Sequence, residues 1–73
     1  ISPREVLIQA LCNRAVTMIL VHNHPSGDPS PSKEDIAMTK RLSQAASLVG
    51  VPLIDHIIIG DLRYLSFREK NLL

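Results

Sequence analysis

Ala15-Val16-Thr17-Met18-Ile19-Leu20-Val21 runs without a break into His22-Asn23-His24-Pro25-Ser26-Gly27-Asp28-Pro29-Ser30-Pro31. The first seven residues are apolar except for Thr17 and rich in β-branched side chains. They are too few for a typical helix and read as a strand buried on both faces, as parallel strands are. The next ten hold three of the five prolines and one of the three glycines. Proline and glycine break regular structure, so this stretch is a loop leaving the end of a buried strand.

The same reading extends outward. Ser32-Lys33-Glu34-Asp35 has the shape of a capping box and opens a helix. Met38, Leu42, Ala45 and Val49 follow at helical spacing, and Gly50 and Pro52 supply the stop. Leu53 to Ile59 is a second apolar run and a second buried strand. Gly60-Asp61 reads as a turn, Arg63 to Leu65 as a short third strand, and Ser66-Phe67-Arg68-Glu69 as the cap of a final short helix. On the upstream side, Ser2-Pro3-Arg4-Glu5 starts a helix reaching Cys12 or Asn13, with Val6, Leu7, Ala10 and Leu11 on one face. The fold class is therefore α/β: a parallel strand–helix–strand unit inside a mixed sheet, with flanking helices. In such sheets ligands bind beyond the carboxyl ends of the strands, where the His22–Pro31 loop lies.

Composition narrows the function classes. A chain of 73 residues is one small domain, and at that size it buries only about 60% of its unfolded surface. It needs a staple: a metal, a partner or further sequence. A hydrophobic content of 45% excludes a disordered tail. A net charge of +1, with Tyr64 and Phe67 the only aromatics, argues against nucleic-acid binding. Cys12 is the only cysteine, so no internal disulfide forms; it reads as a buried small hydrophobe in a reducing cytoplasm. No apolar run approaches the roughly 18 residues of a membrane span.

His22 and His24 are two residues apart at a strand end, so both imidazoles leave the same face. Asp35 lies in the first turn of the next helix and can return to the same point. Two neutral nitrogen donors and one carboxylate suit zinc, with a position left for water whose pKa the ion lowers to about 7. Ser32, one helical turn before Asp35, can offer its hydroxyl to negative charge developing on a substrate oxygen. The plainer reading of Ser32 and Asp35 is a capping box and nothing more. Ser2/Glu5 and Ser66/Glu69 repeat that pattern without histidines. A helix start at Ser30, with Pro31 at the first helical position, would leave Ser32 free for the site.

His-x-His, seven residues, Ser, two residues, Asp is the metal signature of the JAMM metalloproteases, and His22, His24, Ser32 and Asp35 match it without a gap. The wider string HNHPSGDPSPSKED, with DHIIIGD downstream and SPREV upstream, closely resembles the bacterial RadC family across the whole chain. The resemblance implies a partial JAMM/MPN-like domain over residues 1–73, with zinc on His22, His24 and Asp35 and oxyanion assistance from Ser32. It implies hydrolysis of peptide or isopeptide bonds in a protein or peptide substrate. The family's DNA-repair label finds no support in this charge or aromatic content. The JAMM pattern also has a general-base glutamate on a strand well before the first histidine. Here the only acid before His22 is Glu5, which belongs to a helix start. The chain thus reads as a C-terminal portion without its first strands, able to bind metal but poor as a hydrolase alone. The alternatives are a non-catalytic zinc-binding interaction module and a metal-dependent phosphoesterase or nuclease.

Truncation also implies an exposed apolar edge or face, hence self-association or pairing with the missing N-terminal segment. Among the other polar residues, Asp28 most simply shapes the loop. His56, among isoleucines, reads as a core histidine with a backbone partner. Asp55 faces the other way and pairs with a base or a helix end. Glu34 points about 100° around the helix from Asp35.

Overall fold

The computed structural model describes residues 2–73. The chain runs α1 (Pro3–Cys12), β1 (Met18–Asn23), α2 (Lys33–Leu48), β2 (Leu53–Ile59) and β3 (Tyr64–Ser66). β1 and β2 pair in parallel and β2 and β3 antiparallel, in the order β1-β2-β3. The expected mixed α/β sheet is therefore present, with α2 as the parallel crossover. Among the described residues no helix is long and apolar enough to cross a membrane.

Local signals explain most boundaries. Ser2 caps α1 by accepting the Glu5 amide at 3.3 Å, with Pro3 at the first helical position. α2 ends at Leu48 with Val49 as its C-cap, and Gly50 takes a positive φ of 81° that a side chain would strain. α2 covers one face of the sheet, and α1 packs against α2. Leu42, Ala46 and Leu53 form the buried cluster, with Val6, Leu7, Met18, Leu20 and Met38 packed on it. The buried stripe of α2 is Thr39, Leu42 and Ala46 rather than the line ending at Val49, which is exposed. Cys12 is exposed, not buried.

Two further expectations are corrected. β1 is not buried on both faces: its burial alternates, and Ile19 and Val21 are each 57% exposed. Leu20 and His22 pair with His56 and Ile58 on the face beneath α2, whereas Ile19, Val21 and Asn23 pair with Asp55, Ile57 and Ile59 on the outer face. A continuous apolar run satisfies a strand covered on two sides, and here only one side has a covering layer among the described residues.

The expected final helix is a single turn. Ser66 begins as a cap does, its hydroxyl accepting the Glu69 amide at 3.1 Å. Asn71 then turns left-handed at φ 57°, and the Leu72 amide reaches back to the Phe67 carbonyl at 2.8 Å. That is the closure that ends helices, so start and stop fall on adjacent turns. Asp55 secures the turn, accepting the Ser66 hydroxyl at 2.5 Å and the Arg68 amide at 3.0 Å. Burial pushes the Asp55 carboxyl up, but the bonds from Ser66, Arg68 and His56 outweigh it and hold it below the ordinary carboxylate value. Its expected helix-end partner is thus the Arg68 amide together with the Ser66 hydroxyl at the start of this turn.

Candidate metal centre

His22 is the fifth residue of β1, and His24 follows the strand's last residue. The strand period aims both rings to the same side, with centroids 4.7 Å apart and edge to face. The loop then returns to α2, whose first turn carries Asp35. His22, His24 and Asp35 each offer one donor atom, and those atoms lie within 4.8 Å of one another. Among the described residues no other group of three or more such side chains comes together, and Glu5 is outside it.

α2 starts at Ser32, not Ser30. Ser32 accepts the Asp35 amide at 3.0 Å and donates its own amide to Asp35 Oδ2 at 2.9 Å. The full capping box is therefore closed, and yet it does not withdraw Asp35 from the histidines. Oδ2 also lies 3.1 Å from His24 Nε2, and Oδ1 lies 3.7 Å from His22 Nδ1. A carboxylate has about four acceptor positions, so one oxygen caps while both face the site. Burial pushes the Asp35 carboxyl up; the Ser32 bonds and the His22 and His24 imidazoles outweigh it, and it stays below its ordinary value. Asp35 is thus an anion at neutral pH. Ser32 uses an oxygen lone pair in the cap, and its hydroxyl hydrogen remains available to a ligand.

The orientation of His24 decides what the group can hold. Its Nδ1 lies 2.9 Å from the Asp28 carbonyl oxygen. A carbonyl only accepts, so Nδ1 carries the hydrogen and Nε2 of the neutral ring is a bare lone pair. That lone pair faces the Asp35 carboxylate. Two electron-rich atoms 3.1 Å apart require a positive charge between them, either a proton or a metal cation. A backbone carbonyl holding the far nitrogen is the usual support of a metal-ligating histidine. Donor atoms on a tetrahedral zinc, at about 2.0–2.1 Å from it, lie about 3.3 Å from each other. Each histidine nitrogen lies near that separation from one Asp35 oxygen, His24 at 3.1 Å from Oδ2 and His22 at 3.7 Å from Oδ1, and two imidazole nitrogens with one carboxylate are donor types that suit the ion.

The RadC-like JAB domain model matches residues 1–72. The chain belongs to the RadC-like JAB domain family. A UPF0758 protein of Pelobacter propionicus is 56% identical over 73 residues, covering all of this chain and 32% of that protein. Those of Bacillus licheniformis and Geobacillus kaustophilus are 53% and 51% identical, and the chain covers 33% and 31% of them. The chain therefore spans about a third of the length of these RadC-family relatives.

Three contributors were not legible in the RadC motif. Asp28 acts through its carbonyl on His24, while its carboxylate accepts the Ser30 amide at 3.0 Å; backbone roles leave no trace in residue type. His56 is fully buried, and its partner is a side chain, not the backbone. Its Nδ1 lies 2.7 Å from Thr39 Oγ1. Burial holds the His56 imidazole below its ordinary pKa, and neighbouring His22 adds to this, so it is neutral. Glu34, although exposed, borders a small recess with Leu20, His22, Asp35 and Met38.

Proposed function

We propose that this chain supplies the metal-binding part of a zinc-dependent hydrolase centre that cleaves peptide or isopeptide bonds. The carrying observation is His24, held by the Asp28 carbonyl with its Nε2 lone pair facing the Asp35 carboxylate. His22, His24 and Asp35 would hold the ion. Zinc there supplies a Lewis acid that acidifies water and polarises a carbonyl. Ser32 donates its hydroxyl hydrogen toward charge developing on the substrate oxygen, beside the positive end of α2. In this reading residues 1–73 are the C-terminal part of a larger JAB domain, and the general-base carboxylate comes from outside them. The exposed thiol of Cys12, the only cysteine, fits a reducing cytoplasm.

The test is hydrolysis of fluorogenic peptide and isopeptide substrates by a full-length relative of the same family. Cleavage should be abolished by a chelator, restored by zinc, and lost on His24→Ala. A protein that binds zinc, cleaves nothing and captures a specific partner would instead support the interaction-module reading, which the bare outer sheet face favours. Cleavage of phosphodiesters but not peptides would favour the nuclease reading.

The uncovered face also bears on partners. Ile19, Val21, Ile59 and Tyr64 are exposed on it, and β1 is an edge strand. In this reading they pair with further chain: a second copy when the 73 residues stand alone. Sedimentation at micromolar concentration should show self-association that Val21→Lys disperses. A stable monomer would refute it.

A further inference from the structure

We propose that His56 and Thr39 form one positioning unit that sets both sides of the metal site, a role that rests on the metal reading above. The Thr39 hydroxyl lies 2.7 Å from the Asp35 carbonyl oxygen and 2.7 Å from His56 Nδ1. It has a single hydrogen. The carbonyl can only accept, so that hydrogen goes to Asp35, and Thr39 Oγ1 accepts the hydrogen on His56 Nδ1. The chain of bonds therefore runs from His56 through Thr39 to the backbone of Asp35, the carboxylate donor.

The same ring also meets the other side of the site. His56 stacks on His22 with centroids 5.9 Å apart and planes inclined by 19°, and on Phe67 at 4.4 Å and 20°. Phe67 is fully buried and anchors the stack. A single residue of β2 thus touches His22 on β1 and, through Thr39, fixes the first turn of α2 at Asp35.

The choice of histidine here has a cost that the stack does not explain. With Nδ1 carrying the hydrogen, Nε2 is a bare acceptor, and it is buried with no hydrogen-bond partner among the described residues. Buried polar atoms normally find partners. A phenyl ring would stack as well and leave nothing unpaired. What only the imidazole supplies is the Nδ1 donor to Thr39. The orphaned Nε2 is the consequence of keeping that donor.

Removing the bridge should loosen the ligands without removing one. Cobalt(II) is the probe, read by titration and by its visible absorption bands. Thr39→Val removes the hydroxyl at nearly constant shape. His56→Phe keeps the stack and removes the donor. Each should weaken cobalt binding about 10–100-fold, the usual effect of a residue supporting a metal ligand, and alter the absorption bands. The double variant should be no worse than the weaker single one, because both remove the same bridge. Thr39→Ser retains the hydroxyl and should restore affinity and spectrum. Wild-type affinity and bands in folded Thr39→Val would overturn the proposal. A metal-free arm separates the two readings. If the wild-type chain takes no cobalt, the metal reading fails by itself. The positioning unit then stands if Thr39→Val, but not Thr39→Ser, shifts the NMR resonances of the His22 ring and the Asp35 carboxyl carbon, and falls if they are unmoved.

Discussion

Asp35→Asn is expected to lower zinc affinity more than about 100-fold while α2 stays folded. Loss of a residue that merely supports a ligand costs about 10–100-fold, and loss of a ligand's charge should exceed that. Asparagine keeps a side-chain oxygen of nearly the same shape. It can still accept the Ser32 amide, which Asp35 Oδ2 accepts at 2.9 Å. It cannot supply a negative charge between His22 and His24. Asp35→Ala removes both functions and should cost about 0.5–2 kcal/mol of stability as well, the usual range for lost capping. Comparing the two by zinc titration and by thermal unfolding separates the cap from the ligand. Zinc affinity in Asp35→Asn within about twofold of wild type would make Asp35 only a cap.

Gly60→Ala should cripple the fold and the site together. Gly60 follows the last residue of β2 and lies against the loop that holds His24. A Cβ there would overlap the Gly27 carbonyl oxygen and lie 2.8 Å from Pro29 Cδ. The first is backbone and the second belongs to a buried proline, so neither can swing aside. The adjacent Asp61 amide donates to that Gly27 carbonyl at 2.7 Å, which pulls the two segments together. Overpacking of this kind costs about 1–3 kcal/mol. It also displaces the Asp28 carbonyl from His24, so zinc affinity should fall with stability. Chemical denaturation with and without zinc reads both. Unchanged stability and unchanged zinc affinity would show that the loop tolerates the methyl group, and the packing argument would be lost.

How much of this was readable depends on the range of the interaction. His22 and His24 follow from the two-residue period of a strand, and Asp35 from the first turn of a helix that must come back to that strand. Those rules bring together the three side chains that the structure clusters within 4.8 Å. Ser32 was ambiguous between cap and site because the same hydroxyl can serve both; the geometry keeps the cap and leaves the hydrogen free. The Ser66 box misled because its pattern specifies how a helix starts, whereas length is set by where it stops, and Asn71 stops it at once. The β1 run suggested two covered faces because apolar residues report what a face can bury, not what is there to cover it. His56 reads as a core residue from sequence, but its Thr39 partner does not show there, because their bond joins residues seventeen positions apart on different elements.

The account stands on a metal ion at His22, His24 and Asp35. Equilibrium dialysis of the wild-type chain against buffered zinc, followed by elemental analysis, tests it most directly. One equivalent of zinc per chain should be retained by the wild type and lost by His22→Ala and by His24→Ala, with circular dichroism showing both variants folded. A folded wild-type chain that retains no zinc, or variants that retain it undiminished, would contradict the account.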